Sequence, residues 1–278
     1  MMRELAALTR REIVRLGRNP QAIATSLLLP ILYLLLFGQA FNLQNLGNGR
    51  IPSVYFLSAF RGAPSYFSYF AAGMTGFVAV TATLFLGANV IFDKLFGILK
   101  RTAATPAPAS SIYGARVLAG SLQPIGLAFL VLGLSVGLGH LGLTGLKVTA
   151  SVSALGLAEV VLAIVILSLM FASLFVAIGF SIEAPQTYFA VVNAINLPVL
   201  LTSAALYPWG TMPAWLQNVA SYNPITLAVN VLRENLFNGA AAYYPYSPAI
   251  YLLGLAAWAL AMSSVAVVLA RRALGPKK

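Results

Sequence analysis

Few residues in this chain could do chemistry. Its 278 residues include six carboxylates, one histidine and no cysteine. His140 stands alone, which excludes a multi-histidine metal site within one chain, and the lack of cysteine excludes thiolate ligands and disulfides, so no metal is expected. Neither the Gly-x-x-x-x-Gly-Lys-Ser/Thr nest for ATP phosphates nor a Gly-x-Ser-x-Gly nucleophile elbow occurs. Glu159 is the one acid inside a long apolar run. A charge there costs a few kcal/mol unless it is paired or protonated. Glu159 is therefore a candidate to carry a proton or touch a substrate, or else a polar link to a residue such as Asn89 or Gln123. Asn193 and Asn196, at helical spacing in another apolar run, are further candidates for a substrate path. Bonding to neighbouring helices explains them equally well.

The elements that must position these residues are membrane spans. Hydrophobic residues make up 60% of the chain, charged residues 8%, and the mean hydropathy is +0.87; a soluble domain carries roughly 25% charged residues. Six apolar stretches are long enough to cross a hydrocarbon layer of ~30 Å. They run from Gln21 to Phe41, Phe67 to Phe92, Arg116 to Leu141, Ala150 to Phe180, Thr187 to Tyr207 and Pro248 to Ala270. The fourth is too long for one straight span and is expected to begin with an interfacial turn. The expected fold is thus an all-α integral membrane protein, a single domain over 1–278, with no room for a nucleotide-binding domain of its own.

Basic residues orient it. Arg3, Arg10, Arg11, Arg15 and Arg18 precede span one; Lys94, Lys100, Arg101 and Arg116 lie between spans two and three; Arg271, Arg272, Lys277 and Lys278 follow span six. Only Arg50, Arg61, Lys147 and Arg233 fall in the other connections. The excess places both termini in the cytoplasm. The net charge of +11 is accounted for by anionic headgroups, and no nucleic-acid partner is expected.

Three connections stand out. Over residues 2–18, Leu5, Leu8, Ile13 and Leu16 fall on one side of a helix and Arg3, Arg10, Arg11, Arg15 and Arg18 on the other, which describes a helix lying in the interface. Asn19-Pro20 ends it. The link 93–104 should form two to three helical turns, with Asp93 near its start, Lys100 and Arg101 later, and Pro106 as its stop. Its Leu95, Phe96, Ile98 and Leu99 are more apolar than a solvated loop requires, as a docking surface would be. The outer segment 208–237, with Pro208, Met212, Pro213, Trp215 and Asn223-Pro224, reads as short helices that dip back into the membrane and close the outer end of a path.

Arg18-Asn19-Pro20, Pro30, Phe37-Gly38, Gly97, Leu99, Arg101, Thr105-Pro106, Leu197-Pro198, Ser203, Pro208, Met212-Pro213, Trp215-Leu216, Asn223-Pro224 and Arg233 occur in an order that resembles the ABC-2 family of transporter permeases. The resemblance covers essentially the whole chain. It implies the membrane subunit of an exporter, a homodimer of six-span protomers in the plasma membrane. Two copies of a separate ATPase subunit would bind ATP and Mg, while this chain holds no cofactor. It also implies that Asp93, Leu95, Phe96, Gly97, Leu99 and Arg101 form a coupling helix docked on that ATPase, beside the interfacial helix with Arg11, Arg15 and Arg18. Phe96 and Lys100 depart from the family pattern, where many relatives carry acids. The expected cargo is an amphipathic drug or lipid. A polysaccharide or lipid-linked glycan is the alternative within the family, and a proton-coupled secondary transporter using Glu159 is the alternative outside it.

Overall fold

The computed structural model describes residues 66–103, 109–140, 152–236 and 246–274, with isolated positions between 10 and 36. Among them every regular element is a helix: α1 (Tyr66–Thr81), α2 (Leu84–Leu95), α3 (Ile98–Ala103), α4 (Ala109–His140), α5 (Ala154–Ser181), α6 (Pro185–Leu201), α7 (Ala214–Tyr222), α8 (Pro224–Leu236) and α9 (Pro248–Leu274), with a 3-10 turn at Trp209–Thr211. The interfacial helix, including Arg11, Arg15 and Arg18, and most of span one lie outside the described residues.

Four segments are long and apolar enough to cross a membrane: Phe67–Leu95, Ser110–His140, Ala154–Ser181 and Pro248–Ala273. The most apolar is α5, with a mean hydropathy of 2.9, and it is the hub. It packs against α9, α2, α8, α4, α1 and α6. A helix apolar on every side is one with neighbours on every side. It is also one continuous helix that begins at Ala154, capped by Ser153 Oγ accepting the Gly156 N–H at 2.9 Å.

Several boundaries differ from expectation. The second span is two helices separated by a turn at Ala82–Thr83. Helix α4 starts at Ala109 rather than Arg116, which puts Arg116 inside it. Helix α6 has 17 residues and stops at Leu201, not Tyr207; at 1.5 Å per residue it is about 25 Å long. The tail of that expected span, 202–207, is irregular backbone.

Close approach of helices fixes the bundle at two places. Helices α2 and α5 cross backbone to backbone at Gly87 and Gly179, where a Cβ on either residue would overlap the other helix. A Cβ on Gly73 of α1 would likewise overlap the carbonyl of Ala205. Gly126, Gly133 and Gly137 of α4 do not follow the same logic: a Cβ on any of them meets nothing within 4 Å. The expectation that they bring helices together is corrected.

Candidate functional site

The basic end of the bundle holds the 93–104 link. It is not one helix. Asp93 belongs to the last turn of α2, and the chain turns at Phe96-Gly97 before α3 begins. Gly97 has φ of 72°, a left-handed conformation that costs other residues about 1–2 kcal/mol. With no Cβ it lets α3 start at an angle to α2. Asp93 is therefore not the acid at a helix start that its position predicts; it is 1% exposed and forms an ion pair with Arg116 of α4. Lys94 reaches the other way, donating from Nζ to the carbonyls of Phe180 at 2.6 Å and Ile182 at 2.8 Å. These are end groups of α5 that lack helical partners, and a cation at a helix C-terminus also suits the dipole.

The turn so anchored projects Leu95, 61% exposed, and Phe96, 72% exposed. Arg101 is exposed beside them. Leu99 is half-buried and faces inward, against the cluster that contains Leu86, Val90, Tyr113 and Phe180. The link thus divides into an apolar tip, a basic flank and a base tied to both α4 and α5. Lys94 and Arg116 were not singled out from sequence. A cation at a span end was their only signal, and it reads as topology.

The opposite end is organised around Arg233. Although counted with the loop charges, it is 1% exposed, and its guanidinium takes the place of a helix continuation. Beyond Leu201 the backbone carbonyls lack helical donors; Arg233 Nη1 donates to Ala204 O at 2.9 Å, and Nη2 to Ala205 O and Tyr69 O at 3.1 Å. Its Cζ lies 3.4 Å from the ring centroid of Tyr69. The Tyr69 hydroxyl donates to Ala204 O at 2.9 Å and Tyr207 O at 2.7 Å. Thr226 Oγ1 accepts the Ala204 N–H at 2.9 Å, and Asn223 Nδ2 donates to Val199 O at 2.6 Å. Asn223 Oδ1 also caps α8 by accepting the Ile225 N–H at 2.9 Å, with Pro224 as the first helical residue. Helix α8 thus holds the frayed end of α6 in place.

The expected outer-gate residues surround this joint. Met212 is buried with Ala204 and Ala220; Pro208 is half-buried; Pro213 and Trp215 are exposed. The junction of α7 and α8 lies deep along α9, because Trp258 Nε1 donates to Tyr222 O at 2.8 Å. Trp258 is ten residues past Pro248, about 15 Å along the helix.

Glu159 lies in the second turn of α5 and is partly buried. Its partner is neither Asn89 nor Gln123: Asn235 of α8 donates from Nδ2 to Glu159 Oε2 at 3.0 Å. Glu234, beside it, is close enough to feel the Glu159 charge. Burial first, and that charge second, push its carboxyl up to about 7. On α6, Asn196 is buried and Asn193 exposed, and among the described residues no hydrogen bond joins either to Glu159. No group of three or more metal-ligating side chains occurs among the described residues.

Residues 3–237 match the family described as ABC-2 type transporter. The chain is 29% identical over 235 residues to "Putative transport permease ycf38" of Porphyra purpurea, covering 84% of this chain and 74% of that one. It is 24% identical over 270 residues to "Probable doxorubicin resistance ABC transporter permease protein DrrC" of Mycobacterium tuberculosis, covering 94% and 84%. A third relative is "Daunorubicin resistance ABC transporter permease protein DrrB1" of Streptomyces coeruleorubidus, 25% identical over 236 residues, covering 84% and 75%.

Proposed function

Because this chain belongs to the ABC-2 type transporter family, whose members are membrane-embedded permeases that work with a separate ABC ATPase subunit, we propose that it is the translocating subunit of an ATP-driven exporter. The cargo in this reading is an amphipathic drug or lipid, in keeping with the resistance permeases among its relatives. The working unit is a homodimer of six-span protomers in the plasma membrane with cytoplasmic termini, carrying two ATPase copies that bind ATP and Mg.

The observation that carries this reading is the anchored apolar turn. An exposed Leu95-Phe96 tip is costly in water, yet it stands on a base pinned by Asp93–Arg116 and by Lys94 to the end of α5. Covered by a groove on the ATPase, it converts movement of that partner into movement of α2, α4 and the central helix together. Arg101 supplies a charge at the rim of the contact. At the far end, the Arg233 joint and the α7–α8 segment, which reaches about half-way down α9, serve as the outer closure.

The test is direct. Leu95→Asp places a charge in the apolar tip and is expected to abolish co-purification with the ATPase subunit and ATP-dependent export, with the permease still reaching the membrane. Export unchanged in that variant would falsify the coupling assignment.

A further inference from the structure

A cleft runs along α9 on the side facing α7 and α8. Its volume is about 560 Å³, and its walls are mostly apolar, with Tyr222, Tyr246, Tyr251 and Trp258 as the aromatic residues and Gly254 and Ala261 among the others that line it. Three features define what fits. Its residues carry no charge, and the indole N–H of Trp258 is already given to Tyr222 O. That leaves an anion no countercharge, and apart from the hydroxyls of Ser221 and the three tyrosines, carbon chains meet carbon walls. The cleft is also long and narrow. From Ile250 to Ala261 the helix rises about 16 Å, roughly one leaflet of a hydrocarbon layer ~30 Å thick. Finally, Gly254 lets Leu227 of α8 sit close to the α9 backbone, since even a Cβ there would come within 3.1 Å of Leu227 Cδ1, and the cleft opens beside that contact.

The surroundings identify the occupant. Helix α9 has a mean hydropathy of 2.2, and only 11% of its apolar window is buried among the described residues, so acyl chains are the expected medium against the cleft. At the mouth, Tyr246 precedes the helix and stacks edge-on against Tyr251, with centroids 6.0 Å apart. A tyrosine there suits the headgroup level.

We propose that this cleft is a binding site for one acyl chain of an outer-leaflet phospholipid, which wedges α9 against the α7–α8 segment. The seated chain lies beside the Gly254–Leu227 contact and props the outer segment in its described position. Release of the lipid lets that segment close on α9.

The purified full-length chain is exchanged through a mild detergent and examined by native mass spectrometry, with lipid extraction to identify what it carries. About one phospholipid per chain is expected to remain. Ala257→Phe and Ala261→Phe fill the cleft from exposed positions, so the fold is retained, and each should lower the retained phospholipid at least tenfold. Leu253→Phe and Leu260→Phe, on exposed positions of α9 outside the cleft, should leave it unchanged. The proposal is overturned if no lipid is retained, if all four variants behave alike, or if the extracted molecule is not a phospholipid. None of these readouts depends on export, so the site and the exporter reading stand or fall separately.

Discussion

Arg233 illustrates how one residue can change meaning between sequence and structure. Read along the chain it is a loop cation; folded, it is a buried donor set for two carbonyls just beyond α6 and that of Tyr69 in α1. Arg233→Met keeps the apolar stem but orphans those acceptors. Since hydrogen bonds to charged groups are worth about 1.5–3 kcal/mol each, a loss of about 3 kcal/mol or more is expected. A lowered thermal unfolding midpoint in detergent would register it, and Tyr69→Phe should produce a smaller loss in the same assay. Glu234, outside the four candidate spans, gives a pH signature. Its folded carboxyl is pushed from 4.5 to about 7, so the folded state holds its proton more tightly than the unfolded chain. The associated stability is fully present below pH 4.5 and is lost as pH rises through about 7. Glu234→Gln should flatten the unfolding midpoint across that window. A wild-type midpoint that rises there instead would contradict the assignment.

At the scale of elements, the turn between α2 and α3 and the joint between α6 and α8 carry most of the meaning, and they were legible to different degrees. Asn223-Pro224 announced the start of α8 through local chemistry, an amide that caps and a ring that suits the first helical position. The apolar tip at Leu95 and Phe96 was equally visible. The split at Gly97 was not, because a glycine near an apolar run can equally lie within a helix. Nor was the pairing of Glu159 with Asn235, 76 residues apart; hydrophobic periodicity reports which face is buried and says nothing about which distant side chain lies opposite. The short α6 was hidden for a related reason. Residues 202–207 are apolar enough to extend the helix, but tertiary donors from α1 and α8 satisfy their carbonyls instead. Two substitutions separate rigidity from docking at the turn. Gly97→Ala should cost about 1–2 kcal/mol through its left-handed backbone. Lys94→Met should leave ATPase binding intact while lowering export per ATP hydrolysed, because α5 is then released from the docked turn. An unaltered ratio of transport to hydrolysis would show that the Lys94 link carries no force.

For the whole molecule, the charge distribution carries the expected orientation, and its asymmetry grows once the burial of Arg233 is taken into account. With Arg233 buried, only Arg50, Arg61 and Lys147 remain against the thirteen basic residues assigned to the cytoplasmic side. The native chain has no cysteine, so single cysteines can be introduced without further change. Phe96→Cys and Lys278→Cys should react with a membrane-impermeant maleimide only after the membrane is opened, and Trp215→Cys in intact cells. Labelling of position 96 from outside would invert the topology and remove the basis for an ATPase contact.

The crossing at Gly87 and Gly179, where two backbones touch with nothing between them, rivets α2 to α5 near one end of the span, close to the Lys94 tie to the end of α5. Below the rivet α2 runs eight residues to Leu95, about 12 Å; above it the same span climbs roughly 30 Å to Tyr66. In the exporter reading, a tilt of α2 and α5 as one body is magnified at the Tyr66 end, and the Ala82–Thr83 break sets how much of it arrives.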